Sequence, residues 1–269
     1  MIFFCKSFLL SCLLIASTFS TWAVAEEVDD MPSVSDLVSL HIENNNGQYN
    51  PNKLSSIYAI GRILYFDTEE TVERFFRIYK KRPNKYRSYY ETKMGKELLQ
   101  LEVIYNGIEA IQILSHGGRE VYREKLEGEA LESVKFEAKM EGPFLLASEN
   151  PDFLTVIGYE MIEDQKCILL SLDEQSPYPY RNIWLNADNY QEVKFDRYIS
   201  DDQGGLLLEE VYLKNFKTIQ NVLFASRMDK DIDGKRTFST FIDSFEVNYG
   251  LFDSLFSMPE ELGLDSVVE

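Results

Sequence analysis

The chain has 269 residues and a formal net charge of −18. That acidity excludes a nucleic-acid binder, which needs a basic face for phosphate. It also disfavours docking on an anionic lipid surface, while leaving open an apolar cavity inside the protein.

The N-terminus reads as a secretory leader. Lys6 supplies the positive start, Phe8–Ile15 is an apolar run too short to span a bilayer comfortably, and Ala23-Val24-Ala25 fits the small-x-small cleavage pattern. The expected organisation is a signal peptide over 1–25 and a single domain over 26–269, with the mature part exported. Cys5 and Cys12 leave with the leader, so Cys167 is the one remaining thiol and no intramolecular disulfide is possible. Its apolar neighbours mark it as a small buried hydrophobe.

Ser33–Asn46 is predicted to be an amphipathic helix. Val34, Leu37, Val38 and Ile42 fall at helical spacing, Ser33 is placed to cap, and Asn44-Asn45-Asn46-Gly47 stops it. From there the period becomes two. Ile57, Ala59, Gly61, Ile63 and Tyr65 share a strand face, as do Phe76, Ile78 and Arg82, then Tyr86, Ser88 and Tyr90, then Leu99, Leu101, Val103 and Tyr105. Asn106-Gly107 is a two-residue hairpin signal. Glu120–Pro143 breaks the pattern and allows one or two helical turns around Leu126–Val134. Strand character returns at Asp152–Glu163 and continues through Arg236–Asn248, with Asn/Asp/Gly turns between the strands. About 10–12 strands in series form an antiparallel meander. A sheet of that length curls, so helices are needed over one face.

Catalytic signatures are absent. His41 and His116 lack partners at zinc-ligand spacing, and no nucleophile elbow, phosphate loop or dinucleotide fingerprint occurs. Asp229-x-Asp231-x-Asp233-Gly234 begins like a calcium loop, but Thr240 stands where the bidentate glutamate belongs, so a hairpin turn with solvated acids is the better reading. Glu69-Glu70, Glu209-Glu210 and Glu260-Glu261 read as solvated rims. No cofactor and no metal are expected, and the chain does not read as an enzyme.

Several segments, in order, resemble the LolA/LolB-like family of outer-membrane lipoprotein-sorting proteins. They are Tyr79-Lys80-Lys81-Arg82-Pro83-Asn84-Lys85-Tyr86-Arg87, Tyr105-Asn106-Gly107, Val156-Ile157-Gly158-Tyr159-Glu160, Trp184–Tyr190 and Asp253-Ser254-Leu255-Phe256 with Pro259. The resemblance implies a mainly β fold, an incomplete, half-open antiparallel barrel with an N-terminal helix and a central helical lid. It also implies a periplasmic carrier of lipoprotein acyl chains or another lipid, working with inner- or outer-membrane transfer partners, and expected to be a monomer. Arg82 matches the arginine that the family uses at the lid. Alternation along the strands then nominates Ile63, Tyr65, Phe76, Ile78, Tyr86, Tyr90, Leu101 and Val103 as the apolar cavity wall. A non-catalytic envelope sensor or structural interaction protein on the same fold is the alternative.

Overall fold

The computed structural model describes residues 31–44, 54–66, 71–201 and 204–259. The proposed leader, the acidic pairs Glu69-Glu70 and Glu260-Glu261, and the proposed helix stop within residues 45–53 lie outside them. The chain from Pro32 onward forms one compact unit.

The first helix, α1, spans Val34–Asn44. Ser33 caps it as its position suggests: its Oγ accepts from the Asp36 amide at 3.1 Å and donates to the Asp36 carboxylate at 2.6 Å. Six strands follow: β1 Ser56–Tyr65, β2 Val72–Lys81, β3 Lys85–Met94, β4 Glu97–Tyr105, β5 Ala110–His116 and β6 Arg119–Leu126. Then come two helices, α2 Gly128–Ala138 and α3 Pro143–Glu149. Seven strands close the chain: β7 Leu154–Ile162, β8 Gln165–Leu172, β9 Asn182–Asn186, β10 Glu192–Ser200, β11 Leu206–Ile219, β12 Val222–Ile232 and β13 Lys235–Val247.

All 13 strands belong to one open antiparallel sheet, in the order β6-β5-β4-β3-β2-β1-β13-β12-β11-β10-β9-β8-β7. The extra strand relative to expectation is β6, in the segment read as helical turns. It is an edge strand whose side chains are nearly all exposed, so no apolar alternation marks it. The turn at Asn106 takes four residues instead of two. The Asn106 side chain accepts from the amides of Ile108 and Glu109, and pairing closes at Tyr105 and Ala110.

Because β6 and β7 are opposite edges, residues 127–153 must carry the chain across one face of the sheet. That face is apolar at both ends. On β7–β9, Leu154, Ile168, Leu170, Ile183 and Leu185 pack against Leu37 and Val38 of α1 and Phe144 and Ala147 of α3. On β3–β6, Tyr86, Val103, Tyr105, Ala110 and Leu126 pack with Leu131, Val134 and Ala138 of α2. Burial of this kind is worth roughly 1.5–3 kcal/mol per large side chain and fixes the helices without a side-chain N-cap on α2 or α3.

The other face is charged where sequence alone suggested solvated acids. Asp229 is fully buried, held by Arg227 Nε at 2.8 Å, Arg236 Nη1 at 2.9 Å and Ser239 Oγ at 2.7 Å. Asp233-Gly234 forms the turn after it, both with positive φ. Glu209 is also buried instead of rim-exposed, but on the helix-covered face, where the register sets it in line with Val211 and Leu213 and pairs it with Arg197 and Lys230.

Gly61 sits where β13 comes closest to β1, beside an irregularity in the pairing between Ile60 and Gly61. A Cβ there would meet the Phe241 carbonyl oxygen at 2.0 Å and the Phe76 ring at 2.5 Å. Gly61→Ala is therefore expected to destabilise the fold by about 2–4 kcal/mol. Gly158→Ala, with open space around the new carbon, is expected to stay within about 0.5 kcal/mol. Urea denaturation midpoints decide it, and equal midpoints for the two variants would contradict the packing argument.

Candidate functional site

The helices cover the two ends of the apolar face and leave its middle open. There, over β10–β13, β1 and β2, lies a cavity of about 420 Å³. Its floor is apolar, with Ile57, Leu213, Phe224, Met228, Ile242 and Phe245 prominent. Its roof is the end of α2 and the connection to α3, from Phe136 to Pro143.

Two side chains fasten that roof. Arg82, at the end of β2, forms an ion pair with Glu141 and donates from Nε to the Leu54 carbonyl at 2.5 Å. The Arg82–Pro83 peptide is cis. Tyr178, in the β8–β9 connection, donates to the carbonyls of Glu141 and Gly142, at 3.1 and 3.0 Å. The same four-residue connection is thus tied from both halves of the sheet.

The eight residues nominated for the wall all lie on the cavity side of the sheet. Tyr86 pairs with Lys80, which lines the cavity. Ile78 and Phe76 follow at two-residue steps along β2. Tyr90, Leu101 and Val103 follow from the β2–β3–β4 register, and Ile63 and Tyr65 from β1. None of the eight lines the cavity itself. Ile78, Tyr86 and Val103 are packed under α2, and Phe76 is buried against Gly61.

Ionisable groups at the cavity are unusual. His41 projects from α1 into the wall, its ring 4.0 Å from that of Phe144. Its Nδ1 lies 2.7 Å from the Tyr190 carbonyl. A carbonyl only accepts, so Nδ1 carries the proton and Nε2 faces Glu192 at 3.8 Å. Burial pushes the His41 pKa down to about 4, against the opposing hydrogen bond to Tyr190. Burial pushes the Glu192 carboxyl up to about 7. Lys80 is also lowered by burial, with Glu137 at 4.0 Å opposing it. The pocket therefore favours neutral forms, as a low-dielectric site must. Sequence alternation did not single out Glu192, because a pairing irregularity between Glu192 and Lys194 obscures which face it takes.

Among the described residues no group of three His, Cys, Asp or Glu is arranged to hold a metal. His116 pairs with Glu97 at an exposed site, and Cys167 is buried with its thiol pushed up by burial.

The pKa directions predict opposing pH effects. Glu192, raised from 4.5 to about 7, contributes stability that is complete below about 4.5 and lost as pH rises through 7. His41, lowered from 6.5 to about 4, contributes stability present above 6.5 and lost as pH falls toward 4. Glu192→Gln should therefore gain on the wild type by on the order of 3 kcal/mol between about pH 4.5 and pH 8, read from urea melts across that range. A pH-independent difference would refute the assignment. For the roof, Arg82→Met and Tyr178→Phe should each lower the local opening free energy at residues 139–142 by about 1–2 kcal/mol. Hydrogen exchange at those amides reads it, and unchanged protection would show that the ties are idle.

No protein-family model and no curated protein matches the sequence. Solved structures do. A DUF1329 family protein from Desulfovibrio piger superposes with a TM-score of 0.53 at 14% identity, over 84% of this chain and 98% of its own. A protein assigned as an outer membrane lipoprotein-sorting domain, from Vibrio parahaemolyticus, gives 0.51 at 11% identity, over 83% of this chain and 95% of its own. A LolA superfamily protein from Nitrosomonas europaea is also similar, with a TM-score of 0.48 at 12% identity, over 85% of this chain and 99% of its own. At such identities the likeness is one of fold. The chain shares the fold of the DUF1329 and lipoprotein-sorting-domain structures: an open antiparallel sheet, not closed into a barrel, with helices over its apolar face.

Proposed function

We propose that this protein is a non-catalytic, exported carrier that shelters an acyl chain, of a lipoprotein or of another lipid, between the sheet and its helical roof. The single observation that carries this reading is the apolar cavity under a roof held by two polar ties. Apolar burial favours a methylene chain by roughly 0.8 kcal/mol per CH2, and a dry pocket needs no catalytic group to exploit it. The volume lies within the usual range for small-molecule sites. Arg82 acts as the latch, through Glu141.

In this reading α2 is the movable part of the roof. Swinging it off β3–β6 would join Ile78, Tyr86 and Val103, with Phe76, Tyr90, Leu101, Ile63 and Tyr65 beyond, to the existing cavity floor. The nominated wall then forms the path along which a longer chain enters. Among the described residues no helix is long and apolar enough to cross a membrane. A periplasmic location, one lipid-binding domain after the leader, action as a monomer and handover to membrane-bound transfer partners complete the proposal. Lipoprotein sorting enters here from the neighbour assigned to it.

Met228 faces Leu213 on the cavity floor, and Met228→Trp places an indole in the space. The wild type is expected to carry an acyl-bearing molecule on native mass spectrometry and solvent extraction, and the variant at least tenfold less. Uptake of added lipid by both proteins alike would place the ligand elsewhere, and a wild type that neither retains nor takes up lipid would end the carrier reading.

A further inference from the structure

The cavity has a chemically distinct end. Four of its rings, Phe136, Tyr178, Tyr180 and Phe195, form one connected cluster. Phe136 meets Tyr178 and Tyr180 edge-on at 5.8 and 5.6 Å, Tyr178 and Tyr180 stack at 6.3 Å, and Tyr180 and Phe195 are 4.3 Å apart. Glu192 lines the same cavity, and both tyrosines feel its charge. Lys139 Nζ stands 5.0 Å over the Tyr178 ring, so a cation on this cluster is already realised once.

Glu192 is an acid without an equivalent compensation. Glu141 is matched by Arg82, Glu137 lies near Lys80, and Glu209 is held by Arg197 and Lys230. The ionic neighbour of Glu192 among the described residues is His41, which burial keeps neutral at ordinary pH. The groups turned toward it are His41 from α1 and Tyr178 and Tyr180 from the β8–β9 connection. Glu137 of α2 and Arg197 of β10 reach Tyr180. Among the described residues no cation of the protein pairs with the carboxylate.

We propose that this end of the cavity, Glu192 with the Phe136–Tyr178–Tyr180–Phe195 rings, binds an organic ammonium group carried on an apolar chain. Aromatic faces attract such cations through their quadrupoles, most strongly where water is excluded, and a carboxylate beside them supplies the counter-charge. An anionic headgroup at this end would meet the Glu192 carboxylate instead, since Arg82 already matches Glu141 and Lys80 lies near Glu137. This inference rests on the carrier reading and specifies the class of its ligand. The ammonium can belong to a lipid headgroup or to a free small amine, and the chain-bearing form is the one proposed, because the apolar floor adjoins the cluster.

Isothermal titration with probes below their micelle concentrations tests it. The probes are dodecyltrimethylammonium, whose charge does not titrate, dodecanol, dodecanoate and choline. At about pH 8.5, with Glu192 ionised, the ammonium amphiphile should bind about tenfold more tightly than dodecanol, and dodecanoate less tightly than either. At about pH 5.5 the preference should shrink as Glu192 takes up its proton. Glu192→Gln should show the smaller preference at both pH values. The pH comparison on the wild type needs no variant, so a folding defect in Glu192→Gln does not blunt the test. Equal binding of dodecyltrimethylammonium, dodecanol and dodecanoate at about pH 8.5 would overturn the ammonium site and leave the carrier standing. Choline binding as tightly as the amphiphile would overturn the requirement for a chain. Failure of all three amphiphiles would defeat the carrier reading together with this one.

Discussion

The constraint from which the rest follows is topological. Strands β6 and β7 are consecutive in sequence yet lie at opposite edges of a 13-stranded sheet. Residues 127–153 must therefore cross a whole sheet face, and that face is apolar. A bare crossing would leave buried amides and carbonyls without partners, so the segment crosses largely as helix, satisfying its own backbone. The two helices land where the sheet offers apolar side chains, α2 on β3–β6 and α3, beside α1, on β7–β9. The short Lys139–Gly142 connection bridges what remains. A cavity under that bridge is the geometric residue of covering a wide sheet with two short helices, and the two ties on Glu141 and Gly142 hold the bridge in place.

The molecule buries acids in two different ways. Burial raises the Asp229 carboxyl, but hydrogen bonds from Arg227 and Ser239 and the charge of Arg236 outweigh it, so its pKa is lowered. Glu209 behaves alike, with Lys230 and Arg197 outweighing burial. These are paired ions, and breaking one partner would leave an uncompensated charge. Glu192 and His41 instead meet burial by moving toward neutrality. Asp229 and Glu209 are answered by cations of the protein, whereas the ionic neighbour of Glu192 among the described residues is His41, which burial keeps neutral. A perturbed pair in a concave apolar site is the pattern expected of a binding surface whose complement arrives from outside.

Much of the frame was legible because local rules and tertiary needs agree in it. Ser33 caps α1 as its spacing implies, and alternation grouped Ile63 with Tyr65, Phe76 with Ile78 and Tyr86 with Tyr90 on shared strand faces. What escaped was information that no local pattern holds. The edge strand β6 has no buried face to print an alternation. The end of β10 has an irregular pairing that hides the side taken by Glu192. Asp229 and Glu209 look solvated in sequence because Arg236, Arg197 and Lys230 reach them from neighbouring strands. Above all, one strand face can be nominated from periodicity, but which stretch of it a helix will cover depends on the crossing. Ile78 and Tyr86 proved to lie beneath α2, while Ile242 and Phe245 line the cavity.

Arg82 and Tyr178 make the roof and the ligand end parts of one mechanism. Arg82 ties the connection from the β2 side and contributes nothing to the aromatic cluster. Tyr178 ties it from the β8–β9 side with its hydroxyl while its ring belongs to that cluster. A cation entering against the ring meets Lys139, which stands over it and belongs to the roof connection. Like charges cannot share that face cheaply in a low-dielectric site. On the proposed reading, entry would shift Lys139 and, with it, the connection that Tyr178 and Arg82 hold. Occupancy of the cavity and position of the roof would then be coupled through two adjacent hydrogen bonds and one ion pair, with no need for a long-range pathway.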